Sequence, residues 1–153
     1  MASDSTERLD ALQLDAQLCF AMVAAARAVV AAYKPVLEPL GLTHPQYLVM
    51  LALWESSPRP MSEIAGAIRL EPATATPLVK RLEQAGLVRR ARRAGDERVV
   101  EVGLTDAGAA LRERALDVPP TMLERLGMTA GDVEALRATL ADFTVRIGTA
   151  SAH

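Results

Sequence analysis

Two features of the 153 residues could do chemistry: a single cysteine, Cys19, and a segment dense in arginine. A thiol that ionises is a nucleophile toward peroxides and disulfides. With no second cysteine the chain forms no intrachain disulfide and no thiolate metal cluster. His44 and His153 are its only imidazoles, so no structural zinc site is expected, nor any other metal or cofactor. Residues 80–98 hold seven Lys and Arg against three Asp and Glu, net +4, in a chain of net charge −2, which leaves −6 on the rest. A basic segment on an acidic body is the footprint of local contact with a polyanion.

Cys19 falls on a stripe with Val23, Ala26, Val30 and Tyr33, spaced alternately four and three apart. Cys19 and Tyr33 thus share a helix face but lie about 21 Å apart along it. Two copies crossing antiparallel near Ala26 would bring Cys19 of one to Tyr33 of the other, twice over by symmetry, and Ala24, Ala25 and Ala26 would permit close approach. A phenol donating to sulfur stabilises the thiolate. The plainer alternative is that Cys19 is a small core hydrophobe.

The elements that must carry these residues follow from periodicity and caps. Residues 14–38 read as one long helix, ended by Pro39 and Gly41. Thr43 with Gln46 forms a capping box for a helix running to about Ser56, with Pro45 in its first turn. After SSPRP, Ser62 is expected to cap a short helix, and PATATPLVKRLEQAG a further one closed by Gly86. LVRRARR and RVVEVGL then read as strands joined by AGDE, a β-hairpin following two short helices. Thr105 caps another helix, interrupted near Pro119 and Pro120. Thr129 caps the last, whose Val133, Leu136, Leu140, Phe143 and Ile147 form a packing seam.

The fold class expected is mainly α with a small β-wing. It is a winged helix-turn-helix flanked by N- and C-terminal dimerisation helices. Half the residues are apolar and 24% charged, the balance of one globular domain rather than a disordered chain. The few rings (Phe20, Tyr33, Tyr47, Trp54, Phe143) suit close-packed helices better than a sandwich. MASDSTERLD has no signal-peptide pattern. The apolar run Leu18 to Tyr33 is 16 residues long with Arg27 inside it, read as too short and too charged to span a bilayer. A cytoplasmic protein with no membrane association is expected.

In a helix-turn-helix the second helix enters the major groove, its N-terminal side chains meeting base edges. That end offers Thr74, Thr76 and Pro77, followed by Lys80 and Arg81. The hairpin adds Arg90, Arg92 and Arg93, with Arg98 beyond the turn, and an arginine at a wing tip suits a narrow minor groove. The alternatives are a merely solvated hairpin, or one in which Arg89 or Arg93 pairs with Asp96 or Glu97 and braces it.

At this point the chain resembles the MarR family of dimeric winged-helix repressors, and within it the organic-hydroperoxide-sensing branch of the one-cysteine type. The likeness is clearest from Leu14 to Ala115, in QLCFA, YKPVLEPLGLTHPQYLVMLALWE, TATPLVKRLEQAGLVRR and GDERVVEVGLTDAG. The DER of the wing marks only the broad family, whereas QLCFA followed by YKP and LTHPQYLVMLALWE is far more specific to the branch.

The resemblance implies a single MarR-like domain over 1–153, with dimerisation helices at 11–42 and 106–150 and the DNA-binding module at 43–105. It implies that Cys19 is oxidised to a sulfenate by organic hydroperoxides and that the reduced homodimer represses transcription from a pseudo-palindromic operator in double-stranded DNA. Tyr33 matches a tyrosine that bonds the cysteine across the dimer. Thr74, Thr76, Arg81 and Arg90 match DNA-facing positions, and Asp96 and Arg98 the wing motif. The chain departs from the branch at His44, commonly tyrosine there, and at Val23, a second tyrosine in some members. Tyr33 is then the main phenolic donor with Tyr47 or His44 in support, and His44 is either a donor to the thiolate or an inert residue of the cap turn. With one thiol, a low-molecular-weight thiol is the expected partner of oxidised Cys19.

The alternative within the family is release by a small aromatic or phenolic ligand, with Cys19 structural. No Cys-His-acid constellation supports a peroxidase, so no enzyme is expected. A winged helix used only for protein contacts would not need the basic hairpin.

Overall fold

The computed structural model describes residues 11–150, without the side chains of 149 and 150. The segment read for a signal peptide and His153 lie outside the described residues.

A 3-10 turn at Leu14–Ala16 precedes α1 (Leu18–Leu37), so the long helix begins later than its apolar spacing suggested. Pro35 lies in its last turn, and a second 3-10 turn, Glu38–Leu40, leads to Gly41 at φ 70°, a left-handed position that suits glycine. Helix and turn together run 23 residues from Leu18 to Leu40, long and apolar enough to cross a membrane. This corrects the length argument against a span, because the helix continues past Tyr33. The charge of Arg27 within it is unchanged, and very little of the segment is buried in one chain.

Helix α2 (His44–Glu55) carries the expected capping box. Gln46 N donates to Thr43 Oγ1 at 3.4 Å, and Thr43 N donates to Gln46 Oε1 at 3.0 Å. Two residues, Arg59–Pro60, form β1, which the sequence did not signal. Helix α3 (Met61–Ala67) starts directly after it, and Pro60, not Ser62, is the N-cap, with no side-chain cap bond. The reason is non-local: pairing with a distant strand fixes the chain at Arg59–Pro60, and the helix starts two residues too early for Ser62 to cap. Arg69, at φ 55°, makes the turn into α4 (Pro72–Gln84), which Gly86 closes at φ 77°.

Strands β2 (Val88–Arg93) and β3 (Asp96–Leu104) form the hairpin. The sheet is antiparallel in the order β1-β3-β2, with Arg59 opposite Val102 and Val102 opposite Arg90. Asp96 and Glu97 belong to β3, not to the turn, and the register slips between Arg92 and Arg93. Helices α5 (Asp106–Ala115), capped by Thr105, α6 (Val118–Leu126) and α7 (Ala130–Ala150) complete the chain. Thr129 and Asp132 cap each other's backbone N–H at the start of α7. Pro119 and Pro120 sit in the first turn of α6, where a missing N–H costs nothing.

One core unites the module: Leu37 and Leu42, Val49, Met50 and Leu53 of α2, Ile64, Val79 and Leu82 of α3 and α4, and Val88 and Val102 of the sheet. Leu111, Val118 and Met122 close it from α5 and α6. By contrast Leu18, Phe20, Val23, Val29 and Val30 on α1, and Leu136, Leu140, Val145 and Ile147 on α7, are exposed. Both ends of the chain therefore present apolar surface that the module leaves uncovered.

Candidate functional site

The site falls into two parts, a ring cluster where α1 meets α2 and a basic face made by α4 and the hairpin. Cys19, on the second residue of α1, is exposed. Tyr33 lies four turns on, near the end of the same helix, and its ring packs on His44 at 4.9 Å and on Tyr47 at 5.9 Å between centroids. The three residues named from sequence as thiolate supports are thus assembled in one place, away from Cys19 of the same chain. Pro45 and the Thr43 cap fix the direction of α2 and hence where His44 and Tyr47 point.

Burial raises the Tyr33 phenol, and burial and then the proximity of Tyr33 raise that of Tyr47. Burial lowers the His44 imidazole. All three groups are therefore held in their neutral forms at neutral pH, in which each phenol keeps a proton to donate. A cleft of about 480 Å³ opens beside them, lined by Val30, Lys34, Leu42 and His44 among others. Trp54 continues the aromatic row at 6.4 Å from Tyr47, and its Nε1 donates to the Gly108 carbonyl.

On the basic face, Thr74, Pro77, Lys80 and Arg81 are exposed along α4. Thr76 is half-buried, its hydroxyl donating to the Pro72 carbonyl at 2.8 Å, so it is less available than its neighbour Thr74. Pro77 lies inside the helix and is tolerated in its second turn.

The hairpin arginines divide by partner. Arg92 donates to the Glu97 carbonyl across the strands at 2.9 Å, and Arg93 pairs with Glu101 at 2.7 Å. Those contacts brace the hairpin, but not by the expected pairing of Arg89 or Arg93 with Asp96 or Glu97: Arg93 takes Glu101, and Glu97 contributes only its carbonyl, to Arg92. Asp96 Oδ1 instead accepts from the backbone N and Nε of Arg98, both at 3.2 Å. The Arg98 side chain is 93% exposed, so Asp96 aims a solvent-facing guanidinium out of the wing. Arg89 is exposed, and it makes no ion pair among the described residues, like Lys80 and Arg81.

Arg90 is engaged differently. Its Nε and Nη2 reach Glu83 Oε1 at 3.2 and 3.0 Å, and its backbone N donates to Glu83 Oε2 at 2.9 Å. The Arg90 side chain and then its backbone hold the Glu83 carboxyl below the usual carboxylate range. Sequence reasoning missed Glu83. The available signal was an acid seven residues before an arginine, across the glycine that closes the helix. A second cleft, of about 350 Å³, lies between the starts of α3 and α4 and the wing, with Ser62, Thr76, Arg90 and Arg98 among its walls.

Comparison with known proteins follows the same lines. The MarR family pattern matches residues 42–100, the stretch from the cap of α2 to the middle of β3. The organic hydroperoxide resistance transcriptional regulator of Bacillus subtilis is 39% identical over 87% of this chain and 90% of its own length. The HTH-type transcriptional regulator TtmR of Methylorubrum extorquens is 46% identical over 89% of this chain and 70% of its own. Among solved structures, overoxidized AbfR bound to DNA, a protein of Staphylococcus epidermidis, superposes with a TM-score of 0.72 at 28% identity, over 96% of this chain and 99% of that one.

Proposed function

The chain belongs to the MarR family of transcriptional regulators, and from that premise we propose that it is a homodimeric repressor that senses organic hydroperoxides through Cys19 and then releases its operator. One observation carries the reading. Tyr33 is packed among His44 and Tyr47 in an uncharged cluster, while Cys19 is exposed on the same helix about 21 Å away, so only a second copy can unite them. The bare apolar faces of α1 and α7 suit that second copy, with 11–42 and 106–150 forming the dimer and 43–105 the DNA-binding module.

In the antiparallel dimer the Cys19 thiolate accepts a hydrogen bond from Tyr33 of the partner subunit, with Tyr47 and His44 supporting that phenol from behind. The thiolate attacks a hydroperoxide oxygen: an S–O bond forms, the O–O bond breaks, and the alcohol leaves once it takes a proton. The resulting sulfenic acid condenses with a low-molecular-weight thiol to a mixed disulfide, releasing water. A bulky adduct at a packed crossing pries the subunits and changes the spacing of the two α4 helices, which for adjacent major grooves should be roughly 34–36 Å.

DNA contact is assigned to Thr74, Thr76, Pro77, Lys80 and Arg81 in the major groove, with Arg98, set by Asp96, in the minor groove. Arg90 and Arg92, whose guanidinium groups already bond protein, are assigned to the adjacent backbone. The same reading makes the protein cytoplasmic and assigns it no catalytic turnover. The relatives support it by name: one is a regulator of hydroperoxide resistance, and one fold neighbour was solved on DNA in an overoxidized form.

A second reading has its own observation. The cleft of about 480 Å³ beside His44 has room for a small aromatic ligand, which would act as the releasing signal with Cys19 merely structural. Fluorescence anisotropy on promoter DNA separates the two. Cumene hydroperoxide with a small thiol should release the wild type and leave Cys19→Ser bound. If both stay bound the peroxide reading is overturned, and if both release alike Cys19 is not the sensor.

A further inference from the structure

Glu83 uses one carboxylate to hold both the side chain and the backbone of Arg90, the third residue of β2. Resting on the DNA-binding reading above, we propose that Glu83 is a positioning residue for DNA binding: it fixes the wing against the recognition helix through Arg90, so that both reach the duplex in one register. Glu83 stands next to last in α4, and the chain between it and Arg90 turns through Gly86. Without the carboxylate, helix and strand would still be joined by that turn and by the core around Leu82 and Val88, but without this directional polar contact. Two bonds from one guanidinium and one from a backbone N–H set a direction as well as a distance, which a lone surface ion pair does not.

The brace acts where leverage is greatest. Arg90 lies opposite Val102, which also faces Arg59, so the sheet is three-stranded at this level. Beyond Arg92 the register slips and only β2 and β3 continue to the tip that carries Arg98. From Arg90 to Gly95 is about 17 Å of strand. A tilt of roughly 10° at the brace therefore moves the tip by about 3 Å, as large as a hydrogen bond is long. The helix and the wing engage different grooves, so such a tilt costs the contacts of one or the other.

Electrostatics alone gives the opposite sign for the key variant. A carboxylate on a face that meets phosphates repels them, so its neutralisation should strengthen binding, whereas loss of the brace weakens it. The test is fluorescence anisotropy of the full-length protein on promoter duplex over a salt series, for wild type, Glu83→Gln, Glu83→Asp, Arg90→Gln and the Glu83→Gln/Arg90→Gln pair. Glu83→Gln should weaken binding roughly three- to tenfold with the salt slope unchanged. Glu83→Asp, which keeps the charge but is one methylene short, should weaken it too. The double variant should be no worse than the poorer single one. Equal or tighter binding by Glu83→Gln overturns the proposal, as do additive losses in the double variant, which would mark Glu83 and Arg90 as acting independently. Wild type that binds no duplex overturns the DNA-binding reading along with it.

Discussion

Trp54 Nε1 donates to the carbonyl oxygen of Gly108 at 2.9 Å, tying the ring row that begins at Tyr33 to the first turn of α5. On the other side of that turn, Gly108 lies so close to the Leu87 carbonyl that a Cβ would collide with it. Thr105 N donates to the same Leu87 oxygen at 3.1 Å. The residue joining α4 to the wing is thus packed against α5, and α5 against the aromatic row.

Gly108→Ala should destabilise the fold by about 1–3 kcal/mol, because backbone rather than a flexible side chain must yield. Urea unfolding followed by circular dichroism measures this. A midpoint equal to wild type would mean that the close approach relaxes freely.

Trp54→Phe keeps most of the ring packing and removes the donor. A loss of about 0.5–1.5 kcal/mol is expected, the net worth of one hydrogen bond. Unchanged stability would show that water replaces the indole N–H without cost.

Local signals made much of this legible. Thr43 with Gln46, Thr105 before α5 and Gly86 after α4 each act within a few residues of themselves, and each was read correctly from sequence. Ser62 was read wrongly because the pairing of Arg59–Pro60 with β3, some forty residues on, decides where α3 begins. The arginine-rich hairpin was evident as a surface, but which arginine faces outward was not. That depends on Glu83, Glu97, Asp96 and Glu101, whose placement follows from the register. Likewise Tyr33, His44 and Tyr47 could be named singly. Their assembly needed the angle between α1 and α2, which no periodicity encodes.

Arg98→Ala should weaken operator binding and lower the salt slope by about one, as for the loss of a single phosphate-region cation. Asp96→Asn should weaken binding less, since it frees the guanidinium from its set direction without removing it. Anisotropy over a salt series reads both. An Arg98→Ala variant with wild-type affinity would take the wing out of the DNA interface.

His44 gives stability a pH dependence whose sign is fixed by its burial. Its pKa is lower in the folded chain than the ordinary 6.5, so the unfolded chain binds more protons in the interval between the two values. Stability from this group is complete above about pH 6.5 and is lost as pH falls through the folded value. Thermal melts from pH 7.5 down to 5 should show wild type losing stability faster than His44→Gln. Parallel curves would contradict the burial.

In the proposed dimer Cys19 meets Tyr33 of the partner subunit, and one substitution tests that pairing directly. Tyr33→Cys places a second thiol about 21 Å from Cys19 in its own chain, too far for a disulfide, yet beside Cys19 of the partner subunit in an antiparallel crossing. Mild oxidation followed by non-reducing electrophoresis should convert Tyr33→Cys to a covalent dimer, while wild type and the Cys19→Ser/Tyr33→Cys double variant stay monomeric. A Tyr33→Cys protein that remains monomeric on the gel, or a double variant that cross-links equally well, would contradict the shared site.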